Sequence, residues 1–190
     1  MNYASLKTYD VANGPGVRVS LFVSGCEHYC KDCFNSEAWD FNYGQEFTDD
    51  TMHEIISAMS KTWIEGITFL GGEPMNPKNV IEVSRIIARL RCSFPHKSIW
   101  VYSGYTLEEL VTRWKNMYLH MIDGTDNELS EEVGYATGYI LKNIDVLVDG
   151  KFVAEKKDLK LRFRGSSNQR IIDIPKYLVT GKIEEPILPE

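Results

Sequence analysis

Apolar and polar residues recur along this chain with two different periods, and the switches between them outline its elements. Val17-Arg18-Val19-Ser20-Leu21-Phe22-Val23 alternates and is rich in β-branched residues, so it predicts a strand that stops at Ser24-Gly25. Thr48-Asp49-Asp50 marks a helix start, and Met52, Ile55, Ile56 and Met59 share one helical face before Gly66. Ile67-Thr68-Phe69-Leu70 predicts a short buried strand that ends at Gly71-Gly72. The alternation repeats: a helix over 79–92 carries Val80, Val83, Ile86, Ile87 and Leu90, and a strand at Ile99-Trp100-Val101-Tyr102 is followed by Gly104. A third helix, from Thr106 to about Met117, opens on the capping-box pattern Thr106-x-x-Glu109. One more strand, Ile144-Asp145-Val146-Leu147-Val148, runs into Asp149-Gly150.

Strands alternating with helices predict an α/β fold of βαβ units with a mostly parallel sheet, and ligand groups gathered at the strand C-terminal ends. Four or five readable strands are too few for a closed eight-stranded barrel, so the expected architecture is a partial, incomplete βα barrel. Residues 120–138 are polar, contain glycine and show no clear period, and are expected to form an inserted or mobile loop. At 190 residues, 43% of them hydrophobic, without repeats or low-complexity segments, the chain is expected to form one domain over 1–190.

The net charge of −6 argues against a general nucleic-acid binder, because phosphate backbones are held by clustered Lys and Arg. Met1 to Lys7 has no apolar run resembling a signal peptide, and no later stretch approaches a membrane span, so a cytoplasmic location is expected. In that compartment thiols stay reduced, and the four cysteines point to metal or redox chemistry rather than to disulfides.

Three of the four lie within eight residues, directly after the first predicted strand. Cys26, Cys30 and Cys33 form C-x3-C-x2-C, which places three thiolates on one tight loop able to wrap a single cubane. A [4Fe-4S] cluster ordinarily takes four cysteines, so three would leave one iron open to a substrate. The alternatives are packed free thiols or a zinc site, and zinc needs a fourth ligand, with His28 in the loop or Cys92 on the second helix as candidates. Cys92, beside apolar helical positions, reads as a buried structural thiol, and His53, His96 and His120 have no partner in the pattern.

C-x3-C-x2-C after a strand resembles the signature of the radical S-adenosylmethionine superfamily, in which the methionyl amine and carboxylate chelate the fourth iron. Gly71-Gly72-Glu73-Pro74 is similar to that superfamily's second motif, which receives the methionyl amino group at the next strand end. Physically, paired glycines let a backbone approach a ligand closely and a Glu can accept from an ammonium; taken alone, the same four residues read as a turn with a surface Glu. The resemblance narrows to the activating proteins of anaerobic ribonucleoside-triphosphate reductases. It rests on Asn13-Gly14-Pro15-Gly16-Val17-Arg18, the cysteine loop with Cys33-Phe34-Asn35, Ile67 to Pro74, Trp100 to Tyr105, Ile144 to Phe152, and Phe163 to Arg170, which together span nearly the whole chain.

This resemblance implies a radical-SAM-type fold and a glycyl-radical activase. It implies a [4Fe-4S] cluster and S-adenosylmethionine as cofactors, with no catalytic side chain beyond them. The protein substrate would be the large subunit of the reductase, and the electron donor a flavodoxin-type reductant. It implies adenine contacts at Asp32 and Phe34 beside Cys33, and cofactor contacts at Asp149 and Lys151, which match a strand-end Asp-x-Lys of pyruvate formate-lyase activases. The latter pair also reads as a turn with a solvated lysine. Asp32 departs from the aromatic or Gly common before the third cysteine, which bears on the adenine contact and not on the cluster. The segment Phe163 to Arg170 could hold a partner's backbone, bind an anion or cap the final strand. Three other functions remain open at this point: activation of pyruvate formate-lyase or another glycyl-radical enzyme, an iron-sulfur electron carrier, and a zinc-stabilised interaction module.

Overall fold

A computed structural model of the chain describes residues 1–123 and 128–188. Seven strands form one sheet: β1 (Asn2–Asp10), β2 (Val17–Val23), β3 (Gln45–Glu46), β4 (Ile64–Gly71), β5 (Ser98–Tyr102), β6 (Val146–Asp149) and β7 (Arg170–Asp173). Their order across the sheet is β3-β1-β2-β4-β5-β6-β7. The four central strands, β2, β4, β5 and β6, are parallel, as the βα alternation predicts. The outer strands run antiparallel to their neighbours, so the sheet is open and mixed. Sequence reading misses β1, β3 and β7. β1 carries polar or charged residues at most positions, and β3 and β7 are two and four residues long, too short for a period to show.

Helices α1 (Asp49–Met59), α2 (Val80–Ser93), α3 (Leu107–Asp123), α4 (Glu128–Asn143) and α5 (Ile174–Thr180) complete the fold. The box predicted at the start of α3 is present: Thr106 N donates to Glu109 Oε2 at 2.7 Å, and Glu109 N to Thr106 Oγ1 at 3.3 Å. Part of the loop expected over 120–138 is instead helix, since α4 begins at Glu128; residues 124–127 lie outside the described residues. The glycines that suggested a loop serve close helix packing. A Cβ on Gly138 would meet the Trp114 indole at 2.3 Å, so the small residue lets α4 sit against α3. Cys92 is exposed rather than buried. It stands two residues, or about 200°, past Leu90 and thus on the opposite side of α2 from the buried Val83, Ile86 and Ile87.

Strand periodicity divides the sheet into two unlike faces. Val19, Leu21, Ile67, Phe69, Val101 and Leu147 pack with the helices in the main core. The alternate residues include Arg18, Ser20 and Thr68, all fully buried, and a smaller cluster of Trp100, Val146, Val148 and Ile171 against Phe163. Arg18 spans this second face. Its guanidinium donates to Thr68 Oγ1, Ser98 Oγ and the Ile67 carbonyl, each at 2.8 Å, and lies over the Trp100 ring. Burial pulls its pKa down to about 10, so these acceptors hold a cation that has lost its water.

Candidate metal and cofactor site

The chain leaves β2 at Val23 and turns through Gly25, whose amide donates to the Ala38 carbonyl at 2.8 Å, into the cysteine loop. Cys26 N donates to the Trp39 carbonyl at 3.1 Å, and Tyr29 and Asp32 take left-handed backbone angles, with φ of 48° and 56°. Asp tolerates that region better than most residues, which is how position 32 can dispense with glycine. Cys26 is buried, while Cys30 and Cys33 are partly exposed. All three line one cavity of about 490 Å3, with Asp32, Phe34, Gly71, Gly72 and Glu73. These eight of the predicted residues therefore meet at the C-terminal ends of adjacent parallel strands, where a βα sheet leaves room for a ligand.

The three thiols open onto one cavity. A mononuclear zinc site needs its ligands around a single centre, whereas a cubane gives each thiolate its own iron. His28, the local candidate for a fourth zinc ligand, is engaged elsewhere, with Nε2 2.9 Å from Glu73 Oε2. The donor set and the cavity thus fit a cluster bound by three cysteines. Burial pushes the Cys26 thiol up to about 11, and burial followed by the nearby Cys33 raises that of Cys30.

Gly71 and Gly72 are tight for a reason other than ligand approach. Gly72 N donates to the Val23 carbonyl at 2.7 Å and Glu73 N to the Gly25 carbonyl at 2.8 Å, which fastens the end of β4 to the start of the cysteine loop. A Cβ on Gly72 would lie 2.6 Å from the Gly25 oxygen, and Gly71 has a φ of 104°. Gly72→Ala is therefore expected to cost about 1–3 kcal/mol by overpacking and to lower the iron and sulfide bound per chain. Urea unfolding and metal analysis of anaerobic protein measure the two effects.

Glu73 is buried, not on the surface. Oε1 accepts from Met75 N and Ser103 Oγ, each at 2.8 Å; Oε2 accepts from Gly104 N at 2.6 Å and pairs with His28 Nε2. These four contacts use the roughly four lone-pair positions of a carboxylate, so the side chain is committed within the protein. Pro74 is buried behind it and does not line the cavity. Asp149 does not line it either. Fully buried, it pairs with Arg170, whose Nε is 2.9 Å from Oδ1, and accepts from Leu107 N at the start of α3 at 2.7 Å. Arg170 also reaches Glu108 Oε2 at 2.7 Å, joining β7, β6 and α3. Lys151 is exposed just outside the lining, close enough to Cys30 to favour its thiolate.

Several site residues had no sequence signal of their own. Asn79 looks like a helix cap but makes no cap bond; its side chain donates to the Ser24 and Glu73 carbonyls at 2.9 and 3.0 Å, holding the two motifs together. Ala12, Asn13, Trp39 and Tyr102 also line the cavity. Leu159, Leu161, Phe163 and Arg164 line it too, on a segment braced by Gln169, whose Oε1 accepts from Gly165 N at 2.8 Å and whose Nε2 donates to the Gly150 carbonyl at 3.1 Å.

Residues 12–172 match the family described as a 4Fe-4S single cluster domain. Among curated proteins, the chain is similar to several named anaerobic ribonucleoside-triphosphate reductase-activating protein. That of Escherichia coli K12 is 40% identical, covering 89% of this chain and 96% of the relative. That of Vibrio cholerae is 39% identical, covering 90% and 97%, and that of Enterobacteria phage T4 is 37% identical, covering 90% and 93%. Among the described residues, no helix is long and apolar enough to cross a membrane.

Proposed function

Because this chain belongs to the 4Fe-4S single-cluster family and, within it, to the anaerobic ribonucleoside-triphosphate reductase-activating proteins, we propose that it is a radical S-adenosylmethionine enzyme that installs the glycyl radical of that reductase. The observation that carries this reading is the meeting, in one cavity, of three thiols and the Gly71–Glu73 turn, while Cys92 is exposed on α2. The open sheet, with helices packed on one face and Arg18, Thr68 and Trp100 on the other, supports an incomplete βα barrel with the cavity at its strand ends. Four cysteines left free suit a reducing cytoplasm.

In this reading Cys26, Cys30 and Cys33 would hold a [4Fe-4S] cluster and leave one iron for the cofactor. When bound, the pair would supply the chemistry, reductive cleavage of S-adenosylmethionine to methionine and a 5'-deoxyadenosyl radical able to take a hydrogen atom from the partner's glycine. The chain's own residues position and enclose. With the Glu73 carboxylate saturated, a methionyl ammonium would be received by backbone carbonyls of the Gly71–Gly72 turn, and Glu73 acts by holding Ser103, Gly104 and His28 in place. The backbone at Asp32 and Phe34, both in the cavity lining, would take the adenine. Lys151 is the member of the Asp149–Lys151 pair free to reach the cofactor, since Asp149 is committed to Arg170. Electrons come from a flavodoxin-type donor.

Reconstituted anaerobic protein tests this directly. Adding S-adenosylmethionine should change the cluster's electron paramagnetic resonance spectrum, and with reductant 5'-deoxyadenosine should accumulate. Mixing with the reductase large subunit should give a glycyl-radical signal. A radical formed only on pyruvate formate-lyase would move the protein to that activase class. An unresponsive cluster would leave an electron carrier, and zinc in place of iron and sulfide an interaction module.

A further inference from the structure

The segment from Lys151 to Arg164 carries six cationic side chains and only two acidic ones, Glu155 and Asp158, in a chain whose net charge is −6. Lys151, Lys156, Lys157 and Lys160 are exposed, and among the described residues none has a carboxylate within ion-pairing distance. Like charges gathered on a short stretch repel one another, so the fold gains nothing from them. The same segment exposes Leu159 at 90%, and across the cysteine loop Phe34 is exposed at 88%. Both side chains line the cavity, as do Lys157 and Arg164. Arg164 also has a buried Nε without a hydrogen-bond partner among the described residues, a donor awaiting an acceptor. Apart from a turn at Ala154–Lys156 and one bridge between Lys157 and Ser166, the segment has no regular structure.

We infer that this basic rim is the docking surface for an acidic segment of the protein substrate, the chain that bears the glycine to be oxidised. Partner carboxylates pair with Lys156, Lys157 and Lys160, while Leu159 and Phe34 are covered as the glycine segment enters the cavity. The inference rests on the activase reading. The occupant is the protein substrate rather than the electron donor because rim residues Lys157, Leu159 and Arg164 are themselves cavity wall. Hydrogen abstraction needs the glycine in contact with what the cavity holds, whereas an electron can pass through intervening protein. Charge complementarity at such a rim sets encounter rate and salt dependence.

The test reverses charge where it does not touch the cavity, with the double variant Lys156→Glu/Lys160→Glu, in cluster-loaded protein under anaerobic conditions. Its Kd for the reductase large subunit should rise at least tenfold at low salt. Wild-type affinity should fall as salt is added, and that of the variant should fall less. Partner-free 5'-deoxyadenosine formation with a chemical reductant should be unchanged, as should the Kd of a control, Arg85→Glu/Arg89→Glu on α2. An unchanged Kd for Lys156→Glu/Lys160→Glu overturns the docking surface and leaves the activase reading standing. So does a defect seen only when a protein electron donor replaces the chemical reductant, which would assign the rim to that donor. A wild-type protein that forms neither 5'-deoxyadenosine nor a partner radical sinks the activase reading itself.

Discussion

Cys33→Ala should abolish reductive cleavage of S-adenosylmethionine, with a fall of at least about a hundredfold and loss of most bound iron. Residues that merely orient metal ligands typically cost 10- to 100-fold when removed, so a direct ligand costs no less. The loop offers no substitute, because His28 is held by Glu73 and Cys92 is exposed on α2. Cys26→Ala and Cys30→Ala should behave alike, and Cys92→Ala should leave both cluster and activity intact. Cys33 is partly exposed, so its alanine variant should fold normally without metal, and circular dichroism separates loss of ligation from loss of structure. Full cluster occupancy in Cys33→Ala would sink the assignment of the three ligands.

The second large effect is on stability and falls on Glu73. Glu73→Ala removes the acceptor for the Gly104 and Met75 amides, the Ser103 hydroxyl and His28, all around a carboxylate only 1% exposed. Each buried donor left unpaired costs about 1–3 kcal/mol, with partial relief from water entering the gap. The net loss is expected to be roughly 3–5 kcal/mol, read as a lower urea midpoint in metal-free protein. Cluster content should fall as well, since His28 lies in the cysteine loop and would be released. If stability changes by less than about 1 kcal/mol while cofactor binding disappears, the carboxylate contacts the cofactor directly and the structural role is wrong.

Parallel strand β2 was legible because it alternates and is rich in β-branched residues, and β4, β5 and β6 because each is a short apolar run closed by glycine or a turn. α4 was not, because its glycines allow close packing on α3, and glycine in a lone sequence signals a break. Asp149 illustrates the same gap at the site. Its match to the strand-end Asp-x-Lys of pyruvate formate-lyase activases implied a cofactor contact, but Arg170, 21 residues on, claims it.

The cysteine spacing and the Gly71–Pro74 turn were readable from the chain because both depend on local geometry: eight residues of one loop and one strand end. Their placement in a common cavity required the sheet, which sets β4 beside β2 and hydrogen-bonds Glu73 to Gly25. The partners of Glu73 come from three other places in the chain, at His28, Met75 and Ser103–Gly104, and no periodicity encodes such a convergence. A carboxylate's role follows from which donors saturate it, and burial decides that. Residue types and spacing could therefore point to the chemistry, while only packing could show that Glu73 is part of the frame and that the basic segment forms the cavity's rim.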